Sequence, residues 1–351
     1  MTPQIKLSYV PYDLQLTHVF TVAGYSRKKS PVMLVALAYD GIVGYGEASL
    51  PPYLGESHHS VAAFYNKLHW DGFTYPFNIE EILAYVDQIA HGNTAAKAGI
   101  DIALHDLVGK LSERPCREII GYSKTARNTS FTIGIDTLDM VKRKTQEAKN
   151  FHRLKIKLGA DNDQEIIKSI REVTRVALCV DANQGWTDKY QALDQIEWMA
   201  TQGIEFVEQP MPKSSIDAIA WLTARSPLPI IADEGVQRLA DIPSAVGVYS
   251  GINIKLMKST GIAEADKMIR LAKSLGLQTM LGCMTETSCA ISAAAQLSSA
   301  VDWIDLDGNL LIDNDIFEGV KATEGLIQCN DLPGIGVVPF HDNLFSESIK
   351  P

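Results

Sequence analysis

Cysteine is scarce in this chain and is not arranged to bridge or to bind. The five cysteines, Cys116, Cys179, Cys283, Cys289 and Cys329, are odd in number and include no C-x-x-C pair. That argues against a disulfide framework and a thiolate metal site, and it points to a reducing compartment, the cytoplasm. Long apolar runs are missing too. The longest, residues 31–39, falls well short of the roughly 18 residues that cross a membrane, and reads as a buried strand. The opening residues, MTPQIKLSYVPYDLQ, hold no continuous apolar segment, so no signal peptide is expected. There is no basic block either. Lys plus Arg number 32 against 42 Asp plus Glu, a net charge of −10. Such a chain is a poor binder of a phosphate backbone, so nucleic acid is not expected as a partner. What remains is ordinary: 351 residues, 46% apolar and 21% charged. This is a globular composition with length for about two domains, and it excludes disordered or collagen-like chains.

The first 50 residues alternate short β-like runs with turns. IKLSYVPYDLQL, SPVMLVALAYD and IVGYGEAS predict a three-strand meander, with Asp40-Gly41 as a hairpin turn. Residues 80–112 switch to helical spacing. From Phe131 a repeat takes over: FTIGI, LKIKL, ALCVD, EFVEQ, PIIAD, INIKL, LQTML and DWIDL recur at a spacing near 24 residues, with helix-like stretches between them. Eight such units predict an α/β fold, a modified (β/α)8 barrel of the TIM type carrying an N-terminal α+β cap. An open doubly wound sheet shares the alternation, but no Gly-rich fingerprint follows the first strand. The expected division is 1–125 for the cap, 126–320 for the barrel and 321–351 for a tail returning to the cap.

Barrel enzymes carry their chemistry at the C-terminal ends of the strands. Asp181, Glu208 and Asp233 fall there on three consecutive strands, in VDANQ, VEQP and ADEG. Neighbouring strands lie about 4.8 Å apart, so the three carboxylates can converge. An all-oxygen shell suits Mg²⁺ rather than Zn²⁺. The alternative is three strand-end acids held by loop amides or lysines. Lys155 and Lys157 are two apart, so they share one face of their strand. Lys258 follows the sixth strand, across the barrel from the second, so Lys157 and Lys258 are expected to flank a substrate. Lys255 has the opposite parity and is expected to be the lesser candidate. Each lysine has the bland alternative of pairing with a carboxylate. Together the groups suit proton abstraction beside a carboxylate: a divalent cation stabilises the enediolate while lysines on two faces remove and return the proton. Asp305 and Asp307, two apart on the last strand, make an ammonium site, or pair with a barrel lysine.

LKIKLG, VDANQGW, VEQP, ADEG and INIKLMKSTGI, together with GYGEAS and AAKAGIDIALHDLVGK, resemble the motifs of the enolase superfamily, muconate lactonising enzyme subgroup. The resemblance covers essentially the whole chain. It implies Mg²⁺ on Asp181, Glu208 and Asp233, acid/base catalysis by Lys157 and Lys258, and contact of Lys155 with a substrate carboxylate. Lysine-and-Mg²⁺ enediolate chemistry is an established pattern of that superfamily. Asp305-Leu306-Asp307 resembles the D-x-D motif of the dipeptide epimerases, which implies a dipeptide substrate held by its free ammonium, as in L-Ala-D/L-Glu epimerases. GCMTETS implies a pocket lined by Cys283, Met284 and Thr285. In the best-known glutamate-specific pattern an arginine sits on the loop after the first strand. Tyr25 takes that place here, and Arg27 is the nearby substitute. Tyr53 and Leu54 are expected in the same lid.

Alternatives stay open within the subgroup: o-succinylbenzoate synthase, a cycloisomerase or an N-acylamino acid racemase. Outside it stand a Schiff-base lysine aldolase and a barrel that only binds. A homo-oligomer is also left open. His58, His59, His105, Trp186, Trp303 and the stretch from Cys289 to Ala295 are expected to be packing or solvated residues.

Overall fold

The computed structural model describes residues 4–22, 25–159, 162–341 and 344–345, with the backbone alone for Val22 and Tyr25. The expected meander is present. Strands Lys6–Val22, Tyr25–Tyr39 and Ile42–Ser49 form an antiparallel sheet. Asp40 and Gly41 both take positive φ, 49° and 78°, as a hairpin matched to strand twist requires. The helical stretch is two helices, Ile79–Gln88 and Thr94–Leu111, because Gly92 and Asn93 take left-handed backbone between them. The second helix is buried without a break from Ala95 to Gly109. It lies against the sheet so closely that a Cβ at Gly44 would stand 2.2 Å from the Ala103 carbonyl oxygen, and one at Gly46 2.1 Å from that of Gly99. GYGEAS therefore needs both glycines for sheet and helix to meet backbone to backbone.

Eight parallel strands follow: Ser130–Ile133, Arg153–Lys157, Ala177–Asp181, Ile204–Glu208, Ile230–Ala232, Gly251–Ile254, Gln278–Gly282 and Trp303–Asp305. They pair in sequence order. The ring closes through a bridge between Thr129 and Ile304 and a hydrogen bond from Leu306 N to Thr129 Oγ1 at 2.8 Å. Cys179, Phe206, Ile231 and Met280 pack inside the ring with Trp303 against them, so the barrel is filled below its mouth.

The expectation of eight complete units needs one correction. The first seven strands are followed by helices, although the fifth is a single turn, Ile242–Ala245. The eighth strand is followed by a 3-10 turn, Gly308–Leu311. There the chain leaves the barrel wall to join the cap: Ile312 bridges to Leu16 and Asp313 N donates to Gln15 O.

Two buried acids lock cap to barrel at helix N-termini, where free N–H groups favour a carboxylate. Asp101 accepts from Ile262 N at 2.6 Å and Ala263 N at 3.2 Å. Glu47 accepts from Thr287 N and, at the edge of range, from Ala290 N. His105 is a packing residue, as expected: it is buried, with Nδ1 2.9 Å from Asp101 O. Farther on, Leu326–Ile327 pairs with Arg127–Asn128, and Cys116 N donates to Gly334 O at 2.7 Å.

Candidate active site

The C-terminal strand ends and the cap together enclose a cavity of about 290 Å³. The cation candidates lie at its floor. Asp181 and Glu208 are the last residues of their strands and Asp233 follows the next. Each offers one oxygen within 4.8 Å of the others, and all three are buried. Mg²⁺ binds such oxygens at about 2.1 Å, so three carboxylate oxygens gathered this closely are a set it could draw together. Glu208 Oε1 accepts from Asn253 Nδ2 at 2.8 Å. Its Oε2 lies 2.7 Å from Lys155 Nζ but without a hydrogen-bonding approach. Burial, and then Asp181, push the Glu208 carboxyl up to about 7 despite Lys155. A buried carboxyl pushed up in this way, beside two others, is a donor set whose charge a divalent cation would offset. Mg²⁺ fits these residues.

The backbone around the triad is strained in a telling way. Asn183, Gln184 and Gln209 take positive φ of 42°, 68° and 35°, which costs a non-glycine residue energy and persists where the surroundings over-determine it. Asn183 N donates to Asp181 Oδ1 at 2.9 Å. Gln209 Oε1 accepts from Asp233 N at 2.9 Å and Gly235 N at 3.0 Å. VDANQ and VEQP thus specify the orientation of the acids as well as the acids themselves.

Lys155 and Lys157 share a face and both reach the cavity. Lys155 Nζ is 2.8 Å from Asp305 Oδ2, 2.7 Å from Glu208 Oε2 and 3.4 Å from Asp181 Oδ2. Burial would lower its pKa, but Asp305, Glu208 and Asp181 hold it well above the ordinary range. Lys155 is therefore a fixed ammonium. Lys157 Nζ is 2.6 Å from Asp181 Oδ2.

The structure corrects the expectation for Lys258. Its side chain is fully buried and does not line the cavity. Nζ donates to Asp233 O, Asp233 Oδ1, Val236 O and Asn253 O at 2.6–3.1 Å. Lys255 is the residue that reaches the cavity, with Nζ 2.7 Å from Asp233 Oδ2. The parity argument fails for a simple reason. The sixth strand ends at Ile254, and residues 256–260 form a turn. Alternation of side chains holds only along extended backbone. Burial alone would lower the Lys255 pKa, but Asp233 holds it well above the ordinary range. For Lys258, burial outweighs Asp233 and the pKa is lowered.

Asp305 and Asp307 both line the cavity. Asp305 spends Oδ2 on Lys155, the bland alternative, while its buried Oδ1 has no hydrogen-bond partner among the described residues. Asp307 Oδ2 accepts from Thr132 N at 2.6 Å. Burial and the Asp305 charge push its carboxyl up to about 7. Cys283, Met284 and Thr285 line the same space. From the cap, Arg27 Nη2 donates to Thr285 Oγ1 at 2.8 Å, and Tyr53 OH reaches Met284 Sδ at 3.5 Å. The side chain of Tyr25 lies outside the described residues; its backbone pairs with Val22. Leu54 closes the short 3-10 turn Pro52–Leu54 and does not line the cavity.

Sequence reasoning passed over Asn253 and Glu234. Asn253 was legible as an amide inside an otherwise apolar strand. Glu234 lines the cavity with Oε2 unpartnered, pushed up to about 7 by burial, Asp233 and Asp181; only its place beside Asp233 hints at this. Among the described residues, Asp181, Glu208, Asp233, Glu234, Asp305 and Asp307 are gathered, all buried, about the cavity with Lys155, Lys157 and Lys255, and Lys258 lies beneath them.

Comparison with known proteins agrees with this geometry. Residues 138–343 match the model described as enolase C-terminal domain-like. Residues 5–121 match the mandelate racemase / muconate lactonizing enzyme N-terminal domain. An L-Ala-D/L-Glu epimerase of Bacteroides thetaiotaomicron is 56% identical over 337 residues, covering 95% of this chain and 88% of that protein. Among solved structures, a substrate-liganded L-Ala-D/L-Glu epimerase from Bacillus subtilis superposes with a TM-score of 0.90 at 29% identity, over 96% of this chain and 99% of that one. A dipeptide epimerase from Enterococcus faecalis V583, complexed with Mg and L-Leu-L-Tyr, gives 0.88 at 31% identity, over 95% and 99%. The chain belongs to the enolase superfamily, in its mandelate racemase / muconate lactonizing enzyme branch.

Proposed function

We propose that this chain is a Mg²⁺-dependent dipeptide epimerase that inverts the α-carbon of the C-terminal residue by 1,1-proton transfer, with L-Ala-D/L-Glu as its substrate pair. The observation that carries the dipeptide reading is Asp305 Oδ1, a buried carboxylate oxygen without a partner, beside Asp307 in the cavity wall. Two carboxyls in so dry a place call for a cation, and the free α-ammonium of a dipeptide supplies one. An N-acylamino acid or a succinylbenzoate does not. The likeness to the Bacteroides and Bacillus epimerases supports the same reading.

In this mechanism Asp181, Glu208 and Asp233 would hold Mg²⁺, which would supply positive charge near the substrate carboxylate. Lys155, kept charged by three acids, binds and orients the carboxylate. Lys157 and Lys255 rise from the second strand and from the end of the sixth, on opposite sides of the ring. One removes the proton from its face of the α-carbon and the other returns a proton to the opposite face. Asp305 and Asp307 hold the ammonium and so fix which carbon lies between the lysines. Arg27, at the rim, provides positive charge for an acidic C-terminal side chain.

A Schiff-base mechanism fits less well. It gives no part to the three converging acids or to Asp305 and Asp307, and Lys258, one of its two candidate nucleophiles, does not line the cavity.

The test is a library of L-Ala-X dipeptides, run beside N-acylamino acids in D₂O with Mg²⁺ and read by mass shift. Deuterium entry at the α-carbon of L-Ala-D/L-Glu, lost on EDTA treatment, is the expected result. Exchange confined to the N-acyl set, or full exchange in EDTA, overturns the reading.

A further inference from the structure

Lys258 is left without a catalytic part by its burial, yet it is the most heavily bonded side chain beneath the mouth. An ammonium has three protons to give, and Lys258 Nζ has four oxygens within 3.1 Å, none of them from a donor group. Two come from Asp233, one from Val236 and one from Asn253. Asp233 and Val236 belong to the segment after the fifth strand, and Asn253 to the sixth. Lys258 thus ties two neighbouring strand ends together directly under the cavity. Both ties carry onward. Asn253 holds Glu208 through Nδ2. Asp233 gives one carboxylate oxygen to Lys258 and the other, at 2.7 Å, to Lys255. The backbone closes the circuit: Lys258 N donates to Lys255 O at 2.9 Å, and Ser259 N to the same oxygen at 3.1 Å. Anchoring Lys258 therefore fixes the turn from which Lys255 springs and the carboxylate that its ammonium meets. Among the described residues no comparable anchor serves Lys157, the last residue of a regular strand, which pairs with Asp181 on one side and follows Ile156, paired on both.

We propose that Lys258 is a positioning residue for Lys255, and so controls proton transfer at one face of the substrate α-carbon and not at the other. The proposal rests on the epimerase reading and deepens it. Misplacing a catalytic group by about 1 Å costs on the order of 100-fold in rate. The asymmetry follows from the architecture: Lys258 also braces Asp233 and, through Asn253, Glu208, which serve both faces, but of the two cavity lysines that flank the substrate it holds the turn of Lys255 alone. A residue that merely stabilised the barrel, or merely supported the cation site, would affect both faces together.

The test measures α-proton exchange separately from each epimer of the dipeptide in D₂O, by proton NMR with saturating Mg²⁺, for wild type, Lys258→Met and Lys258→Arg. Lys258→Arg keeps the charge, but a planar fork does not match four oxygens grouped around one point, so it tests position without removing the cation. Exchange through Lys255 should fall about 100-fold, while exchange through Lys157 stays within severalfold. Equal loss from both epimers, or no loss in either, overturns the proposal. Thermal melts establish folding, and if Lys258→Met does not fold, Lys258→Arg decides. A second readout needs no substrate: reductive methylation of the protein, followed by peptide mass. Lys255 should methylate faster in Lys258→Arg than in wild type while Lys157 is unchanged, and an unchanged Lys255 counts against the proposal. Wild-type protein that exchanges no dipeptide defeats the functional reading instead, and methylation still decides the role of Lys258.

Discussion

Lys155 and Lys157 lie two residues apart within an extended strand, and both side chains reach the cavity. Lys255 and Lys258 lie three apart across a strand end, and of these Lys255 reaches it while Lys258 bonds beneath. The two pairs share one chemistry, lysine against buried carboxylate, and differ in backbone. In the first pair, side-chain direction follows from strand alternation and could be counted from sequence. In the second, counting stops at Ile254, and the turn decides. Barrel enzymes gather their reactive groups where strands become loops, so parity is least dependable at the positions where it is most often applied.

The strongest way to break this comparison is to remove the two cavity lysines that face each other. Lys157→Ala and Lys255→Ala should each lower epimerisation by about 10³-fold or more, the scale of a lost general acid or base. Each should retain α-proton exchange in one epimer, and the retained epimers should be opposite. Wild-type epimerisation in Lys255→Ala would return the role to Lys258 and dissolve the contrast. A smaller effect sharpens the role of Lys155. Asp305→Asn removes its closest partner on the last strand together with half of the ammonium site. A lost charged hydrogen bond is worth about 1.5–3 kcal/mol, so kcat/KM for L-Ala-D/L-Glu should fall roughly 10- to 100-fold. If the fall appears in kcat with KM unchanged, Asp305 is not an ammonium site.

The last effect is on stability rather than rate and concerns a buried acid outside the cavity lining. Glu286 is buried, and its carboxyl is pushed up to about 8 by burial and then by Glu47. The folded chain therefore holds a proton there that the unfolded chain has released. Such a group adds stability below its unfolded pKa and loses it as pH rises through the folded value, by at most about 1.4 kcal/mol per pH unit. Glu286→Gln should consequently gain in melting temperature relative to wild type between pH 5 and pH 8. A constant difference across that range would show that the Glu286 carboxyl is not pushed up in the folded chain.

Much of this was written in single short motifs. The meander, the eight strand runs and the three acids of VDANQ, VEQP and ADEG were legible because each rests on local periodicity: alternation of two, a spacing near 24, and acids at strand ends. The division of labour between Lys255 and Lys258 was not, since it depends on a turn whose path is fixed by Asp233, more than twenty residues away in sequence. The missing eighth helix was equally hidden, because Ile312 and Asp313 are drawn off by Leu16 and Gln15 from the opposite end of the chain. The support given by Asn253, Gln209 and Glu47 shows only when strands and cap are placed together. For Tyr25 and Arg27, motif position named the neighbourhood, and the structure describes a contact for Arg27, to Thr285.

The contact between the first strand and the segment after the last carries a consequence for biosynthesis. Gln15 N is bonded to Asn314 Oδ1, and Thr17 Oγ1 to Asp313 Oδ1, across separations of 299 and 296 residues. At about 5–20 residues per second on the ribosome, the first strand waits roughly 15–60 s before these partners exist. During that interval the edge of the cap sheet that will meet them is open, and such an edge invites pairing with other chains. Nascent-chain aggregation and chaperone demand should therefore concentrate before residue 314 emerges, and a circular permutant that joins these segments early in synthesis would shorten the exposure.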